Sequence, residues 1–126
     1  MEVRDHLYYT KDHEWVEIRE GRAYVGITDY AQHSLGDIVF LELPDADADY
    51  VAQERLGVIE SVKAVADLHS PISGRVIEVN LDLEGSPEVL NRNPYQAWIA
   101  VLELRNTDEL AGLLSADEYR ELLRKA

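Results

Sequence analysis

Apolar and polar positions alternate along most of this chain with the two-residue period of half-buried β-strands. Trp15-Val-Glu-Ile18 and Ala23-Tyr-Val-Gly-Ile27 carry that period on either side of Glu20-Gly21, which predicts a hairpin. Thr28 is placed to cap a short helix over 29–34 that ends at Gly36. Residues 37–43 form a third strand, stopped by Pro44, which has no N–H for a ladder. A strand-like stretch over 50–52 follows the acidic loop 45–49. Residues 57–74 are short, apolar and β-branched, and predict two strands joined tightly at Val62-Lys63-Ala64. Another strand covers 75–79. Ser86 and Pro87 open one helical turn through Leu90, residues 91–94 form a turn, and 97–104 are a largely buried strand.

The ends differ from the body. Residues 1–13 read as polar and irregular, with Tyr8 and Tyr9 available for packing. After about residue 105 the period becomes helical. Residues 107–112 form a short helix ending at Gly112, and Ser115-Ala-Asp-Glu118 is a capping box with Tyr119, Leu122 and Leu123 on one face behind it. The elements predict one mainly β domain over 1–126, a two-sheet sandwich or flattened barrel with a core over about 7–104 and a helical extension over about 105–126 packed outside. A short echo lays Gly36-Asp-Ile-Val-Phe-Leu-Glu-Leu43 over Gly74-Arg-Val-Ile-Glu-Val-Asn-Leu81 and suits two related halves.

Charge narrows the function. Twenty-five acids against 12 Lys and Arg leave a net charge of −13, which repels phosphate backbones and favours basic protein surfaces. Direct nucleic-acid binding is therefore not expected. With no cysteine, disulfides, thiolate metal sites and cysteine nucleophiles are excluded. No apolar run reaches the roughly 18 residues of a membrane span, and the acidic start resembles no targeting peptide, so a soluble cytoplasmic protein is expected. His6, His13, His33 and His69 share no metal-ligand spacing, and 45–49 lacks the glycine and distal glutamate of a Ca²⁺ loop. No nucleophile elbow or glycine-rich phosphate loop is present. Nothing here predicts an enzyme or a metal site.

Lys63 is the residue that stands out. It is one of three lysines beside nine arginines, and sits at the tip of the predicted hairpin. A lysine there suits amine chemistry, because a guanidinium does not give up its proton. It equally suits a charged gatekeeper that keeps an apolar hairpin soluble. Spacing alone leaves both readings open.

Glu60-Ser-Val-Lys-Ala64, with Ser70-Pro-Ile-Ser-Gly74 behind it, resembles the lipoyl-lysine motif of the glycine cleavage H-protein family. Tyr9-Thr-Lys-Asp-His-Glu-Trp15, Val25-Gly-Ile-Thr-Asp-Tyr-Ala-Gln32, Leu35-Gly-Asp-Ile-Val-Phe-Leu-Glu-Leu-Pro44, Val76-Ile-Glu-Val-Asn80 and Asn93-Pro-Tyr95 with Trp98 are similar in the same order. The resemblance implies a barrel-sandwich hybrid with C-terminal helices. It also implies a non-catalytic carrier with lipoate in amide linkage on Lys63, set among Glu60, Ser61, Val62 and Ala64. The implied partners are a pyridoxal-phosphate glycine decarboxylase, a tetrahydrofolate-dependent aminomethyltransferase, a flavin dihydrolipoyl dehydrogenase and a lipoate ligase or lipoyl transferase. Glu14 and Asp67 match positions that hold the loaded, cationic aminomethyl group in a cleft. Three departures stand out: no glycine over 47–50, Gln96-Ala97 before Trp98, and Ala66 before Asp67. Two other functions fit the same residues, a lipoate relay to 2-oxoacid dehydrogenases and an unmodified acidic interaction module. A biotin carrier is disfavoured, since Val62 and Ala64 replace the flanking methionines of that class.

Overall fold

The structure is a computed structural model that describes residues 1–126. Two antiparallel sheets enclose the core. The larger has six strands in the order β1 (Tyr8–Tyr9), β2 (Glu14–Arg19), β3 (Arg22–Ile27), β9 (Ala100–Glu103), β8 (Gly74–Val79) and β5 (Asp49–Tyr50). The smaller orders β4 (Ile38–Glu42), β6 (Arg55–Ser61) and β7 (Val65–His69). No helix is long and apolar enough to cross a membrane.

The predicted hairpins form for local reasons. Between β2 and β3, Glu20 and Gly21 both take positive φ, 50° and 77°, the mirror-image turn that matches strand twist. Gly26 faces Trp15 across this ladder, and a Cβ there would lie 2.5 Å from the indole, so glycine makes room for the ring. Thr28 accepts the Ala31 N–H to start α1 (Asp29–Leu35), and Gly36 ends it at φ 79°.

Alternating inward residues of both sheets bury one apolar cluster that includes Val16, Val25, Ile38, Leu41, Ile59, Leu68, Ile72, Val76 and Leu102. A second cluster lies outside the large sheet. There Leu7, Tyr9, Trp15 and Tyr95 meet Ala116 and Tyr119 of the C-terminal helix, with the Tyr9 and Tyr119 rings stacked at 4.4 Å. That helix, Ala116–Arg124, opens on the predicted capping box, with the side chains of Ser115 and Glu118 each accepting the other's backbone N–H.

Several elements differ from the sequence reading. Residues 8–9 are a strand, paired with Val16 and Trp15 and bridged to Leu114, but two residues are too few for a period to show. Of the strand-like stretch over 50–52 only Tyr50 pairs, together with Asp49 of the preceding loop, against β8. An unexpected helical turn, α2 (Asp82–Gly85), takes Ser86 as its C-cap, so Ser86 does not cap the next helix. That helix, α3 (Val89–Arg92), starts beyond Pro87 and includes Asn91 and Arg92, which had read as a turn. The last strand begins at Ala100 because the Ala97 N–H goes to the Asn93 carbonyl and that of Trp98 to Gln96. Residues 107–112 are 3-10 rather than α-helical, and with them numbered aside the C-terminal helix is α4. The two echo segments fall on β4 and β8, one in each sheet.

Gly74 opens β8 under the last strand, where a Cβ would stand 2.1 Å from the Glu103 carbonyl oxygen. Gly74→Ala therefore forces backbone apart and is expected to cost about 2 kcal/mol or more in urea unfolding. Gly85→Ala, which meets nothing within 4 Å, should leave stability within about 0.5 kcal/mol. Equal effects of the two would contradict this packing.

Candidate functional site

The lysine hairpin is closed by Ser61. The Ser61 N–H donates to the Ala64 carbonyl at 2.8 Å, and its hydroxyl donates to the same oxygen at 3.3 Å. That hydroxyl also accepts the backbone N–H of Lys63 at 3.3 Å and of Ala64 at 3.1 Å. The Val62 N–H reaches across to the Asp37 carbonyl at 3.0 Å. The backbone around Lys63 is thus tied on both sides while the side chain stays exposed. A Cβ on Gly36 would lie 3.4 Å from Lys63 Cε, so the lysine stem passes over the bare C-cap of α1. Val62 and Val65 are 68% and 66% exposed on either side of it. Glu60 pairs across the ladders with Phe40 and Val65, and Asp67 pairs with Val58.

A carboxylate is buried at the edge of the same hairpin. Glu14 is 2% exposed. Its Oε1 accepts the Thr10 hydroxyl at 2.6 Å, and its Oε2 accepts the His69 backbone N–H at 3.1 Å. The residue before it, His13, has φ 68°, which turns the chain from the Thr10 loop into β2. Burial pushes the Glu14 carboxyl up to about 6, with the Thr10 and His69 hydrogen bonds pulling the other way. Asp12 adds to the rise. Asp12 Oδ2 lies 3.6 Å from His69 Nδ1, beyond hydrogen-bond reach, which leaves that buried nitrogen without a partner. Donor atoms of Asp12, Glu14 and His69 all fall within 4.8 Å of one another.

Of the residues singled out in the sequence, Glu60, Ser61, Val62, Lys63 and Ala64 share the hairpin tip. Asp67 lies exposed on β7, and His69, two positions along the same face, supplies the backbone group that meets Glu14. Thr10 and Asp12 carry no assigned role in the sequence, and His69 is weighed there only as a metal ligand. Thr10 and Asp12 precede Glu14 by four and two positions, but they lie in the irregular turn before β2, where neither spacing marks a shared face, and the His69 contact spans 55 positions. Gln96 and Ala97 still let Trp98 pack edge-on against Tyr24, with ring centroids 5.9 Å apart.

A two-sheet β sandwich that lifts one lysine on a hairpin tip defines the barrel-sandwich class of arm-carrying modules. The profile of the Glycine cleavage H-protein family matches residues 7–126, and the chain belongs to that family. It is 50% identical over 123 residues to the glycine cleavage system H protein of Thermoanaerobacter sp. (strain X514), covering 98% of each chain. The same protein of Alkaliphilus oremlandii (strain OhILAs) is 52% identical over 119 residues, 94% of each. The crystal structure of a glycine cleavage system H protein from Mycobacterium marinum superposes with a TM-score of 0.87 at 34% identity, covering 97% of this chain and 99% of that one. The chain is thus a lipoyl carrier of glycine cleavage, a non-catalytic subunit whose family carries lipoate.

Titration of Glu14 tests the site geometry. Its folded value near 6 lies above the ordinary carboxylate value, so ionisation disfavours the fold. The group's contribution is full below about pH 4 and about 2 kcal/mol is lost as pH rises through 6. Carboxyl-resolved ¹³C NMR should show a midpoint near 6, and Thr10→Val should raise it by removing a bond to the charged form. A midpoint near the ordinary glutamate value of about 4.3 would contradict the burial.

Proposed function

We propose that Lys63 holds lipoate through an amide and that Glu14, with Asp67, attracts the cationic aminomethyl cargo brought back along the hairpin edge. Lys63 fits the group because its Nζ end is free in solvent, its backbone is tied by Ser61, and Gly36 leaves space along its stem. Exposed Val62 and Val65 offer apolar surface to an aliphatic arm. Lipoate supplies a dithiol that takes up and gives back the aminomethyl group. The protein's own part is to present that arm and to receive its cargo. Amide formation removes the Lys63 charge, so an ammonium no longer competes for nearby carboxylates. Glu14 is largely a carboxylate above pH 6 and sits out of water, where its attraction for a cation is strongest. Keeping a buried acid ionised costs stability, and a cost of that kind is expected where a charge has work to do.

The acidic surface, with a net charge of −13, suits encounters with basic rims on several enzymes in turn. Those partners are glycine decarboxylase, aminomethyltransferase and dihydrolipoyl dehydrogenase, after a lipoate ligase or lipoyl transferase has loaded Lys63 in the cytoplasm. The observation that carries the reading is the single exposed lysine on a pinned hairpin tip, with a buried carboxylate against the far end of the same hairpin's edge strand.

Exchange of labelled carbon dioxide into glycine by the decarboxylase tests it. The lipoylated protein should support exchange and Lys63→Arg should support none. Glu14→Ala should keep exchange while shortening the lifetime of the aminomethyl-loaded form. Loss of protection should also follow acidification through pH 6, as Glu14 takes up a proton. A lipoylated protein that fails in exchange yet passes lipoate to 2-oxoacid dehydrogenases would overturn the reading in favour of a relay.

A further inference from the structure

The C-terminal helix reaches the site through one hydroxyl. Tyr119 is fully buried, stacked on Tyr9, and its Oη lies 2.8 Å from His13 Nδ1 and 2.7 Å from Thr28 Oγ1. These partners are 106 and 91 positions away in the chain. One assignment of protons satisfies every atom. The Ala31 N–H donates to Thr28 Oγ1, the Thr28 hydroxyl to Tyr119, and the Tyr119 hydroxyl to Nδ1 of neutral His13. Burial holds His13 below its ordinary value, which favours that neutral form, with Asp12 opposing. Tyr9 and Tyr30 are the other titratable rings packed on this group.

Both partners of Tyr119 bear on the candidate site. His13 is the left-handed residue immediately before Glu14, and the Thr28 N–H donates to the His13 carbonyl at 3.0 Å. Thr28 also starts α1, whose far end at Gly36 underlies the Lys63 stem. The hydroxyl therefore braces the His13 hinge from one side and the helix under the lysine from the other. Apolar packing alone would seat α4 without it, because Ala116, Leu122 and Leu123 already face the second cluster.

We propose that Tyr119 is a positioning residue for the aminomethyl cleft: its hydroxyl bridge to His13 and Thr28 holds the backbone turn that keeps Glu14 sealed against the β7 edge. The proposal rests on the reading of Glu14 as the group that receives the cationic cargo. Phenylalanine at 119 keeps the ring on Tyr9 and removes only the bridge. The His13 hinge then loosens, water reaches Glu14, and relief of burial lowers its affinity for a proton.

The test uses the full-length chain, first without lipoate. In ¹³C NMR, Tyr119→Phe should lower the Glu14 midpoint by about half a unit or more. His13→Gly tolerates the left-handed backbone and leaves the hydroxyl no side-chain acceptor at 13, and should give the same shift. The double variant should go no further than either single one. Leu123→Ala trims the α4 packing without touching the bridge, so it should lower the melting temperature and leave the Glu14 midpoint in place. A midpoint in Tyr119→Phe that is unchanged or raised, or an equal fall in Leu123→Ala, overturns the proposal. In the lipoylated protein, Tyr119→Phe should shorten the lifetime of the aminomethyl-loaded form toward that of Glu14→Ala. If Glu14→Ala leaves that lifetime unchanged, the cargo reading fails, while the titration still decides whether Tyr119 seats Glu14.

Discussion

Closure of the hairpin tip by Ser61 is the contact on which the site depends. A serine that is 8% exposed binds the N–H groups of Lys63 and Ala64 and the carbonyl of Ala64, so three consecutive residues turn with almost no unpaired backbone. The N–H groups of Val62, Lys63 and Ala64 all have partners, in the Asp37 carbonyl and the Ser61 hydroxyl. An arm attached to Lys63 would extend from backbone held by these hydrogen bonds. The Asp37 carbonyl, which takes the Val62 N–H, passes that rigidity to β4 and the core beneath it. Exposed valines on both sides would be a liability on a free edge, yet under the proposed function they would match the aliphatic chain of a lipoyl arm.

Glu14 ties the two sheets. It stands at the start of β2 in the six-stranded sheet and accepts the outward N–H of His69 on β7, the edge strand of the three-stranded sheet. An aliphatic residue in its place would leave the His69 N–H and the Thr10 hydroxyl without acceptors. The same carboxylate therefore has a structural and an electrostatic part, and its proton affinity near pH 6 records the tension between them. Chain elements far away in sequence hold it. The left-handed His13 aims it, and Tyr119 of α4 lies against His13.

What the sequence made legible was local. The Glu20-Gly21 turn, the Thr28 and Gly36 caps and the Ser115–Glu118 box each carry their signal within a few residues, and each formed. The lysine hairpin was legible because β-branched runs flank a three-residue connection. Features made by distant partners were not legible. The strand at Tyr8–Tyr9 exists because β2 and Leu114 lie beside it, and α2 captures Ser86 before α3 can use it. Nothing local distinguishes Glu14 from the other acids of the chain; its burial comes from Thr10 and from His69, across the sandwich. Family resemblance pointed to Glu14, whereas its pairing with His69 and the contact of Tyr119 with His13 emerged only in three dimensions.

Whether Lys63 carries lipoate can be read from the intact mass of the protein purified from its own host. The expected result is a mass increase of one lipoyl group, mapped by peptide analysis to Lys63 and absent from Lys63→Arg. An unmodified Lys63 in cells that lipoylate their other carrier proteins would contradict it.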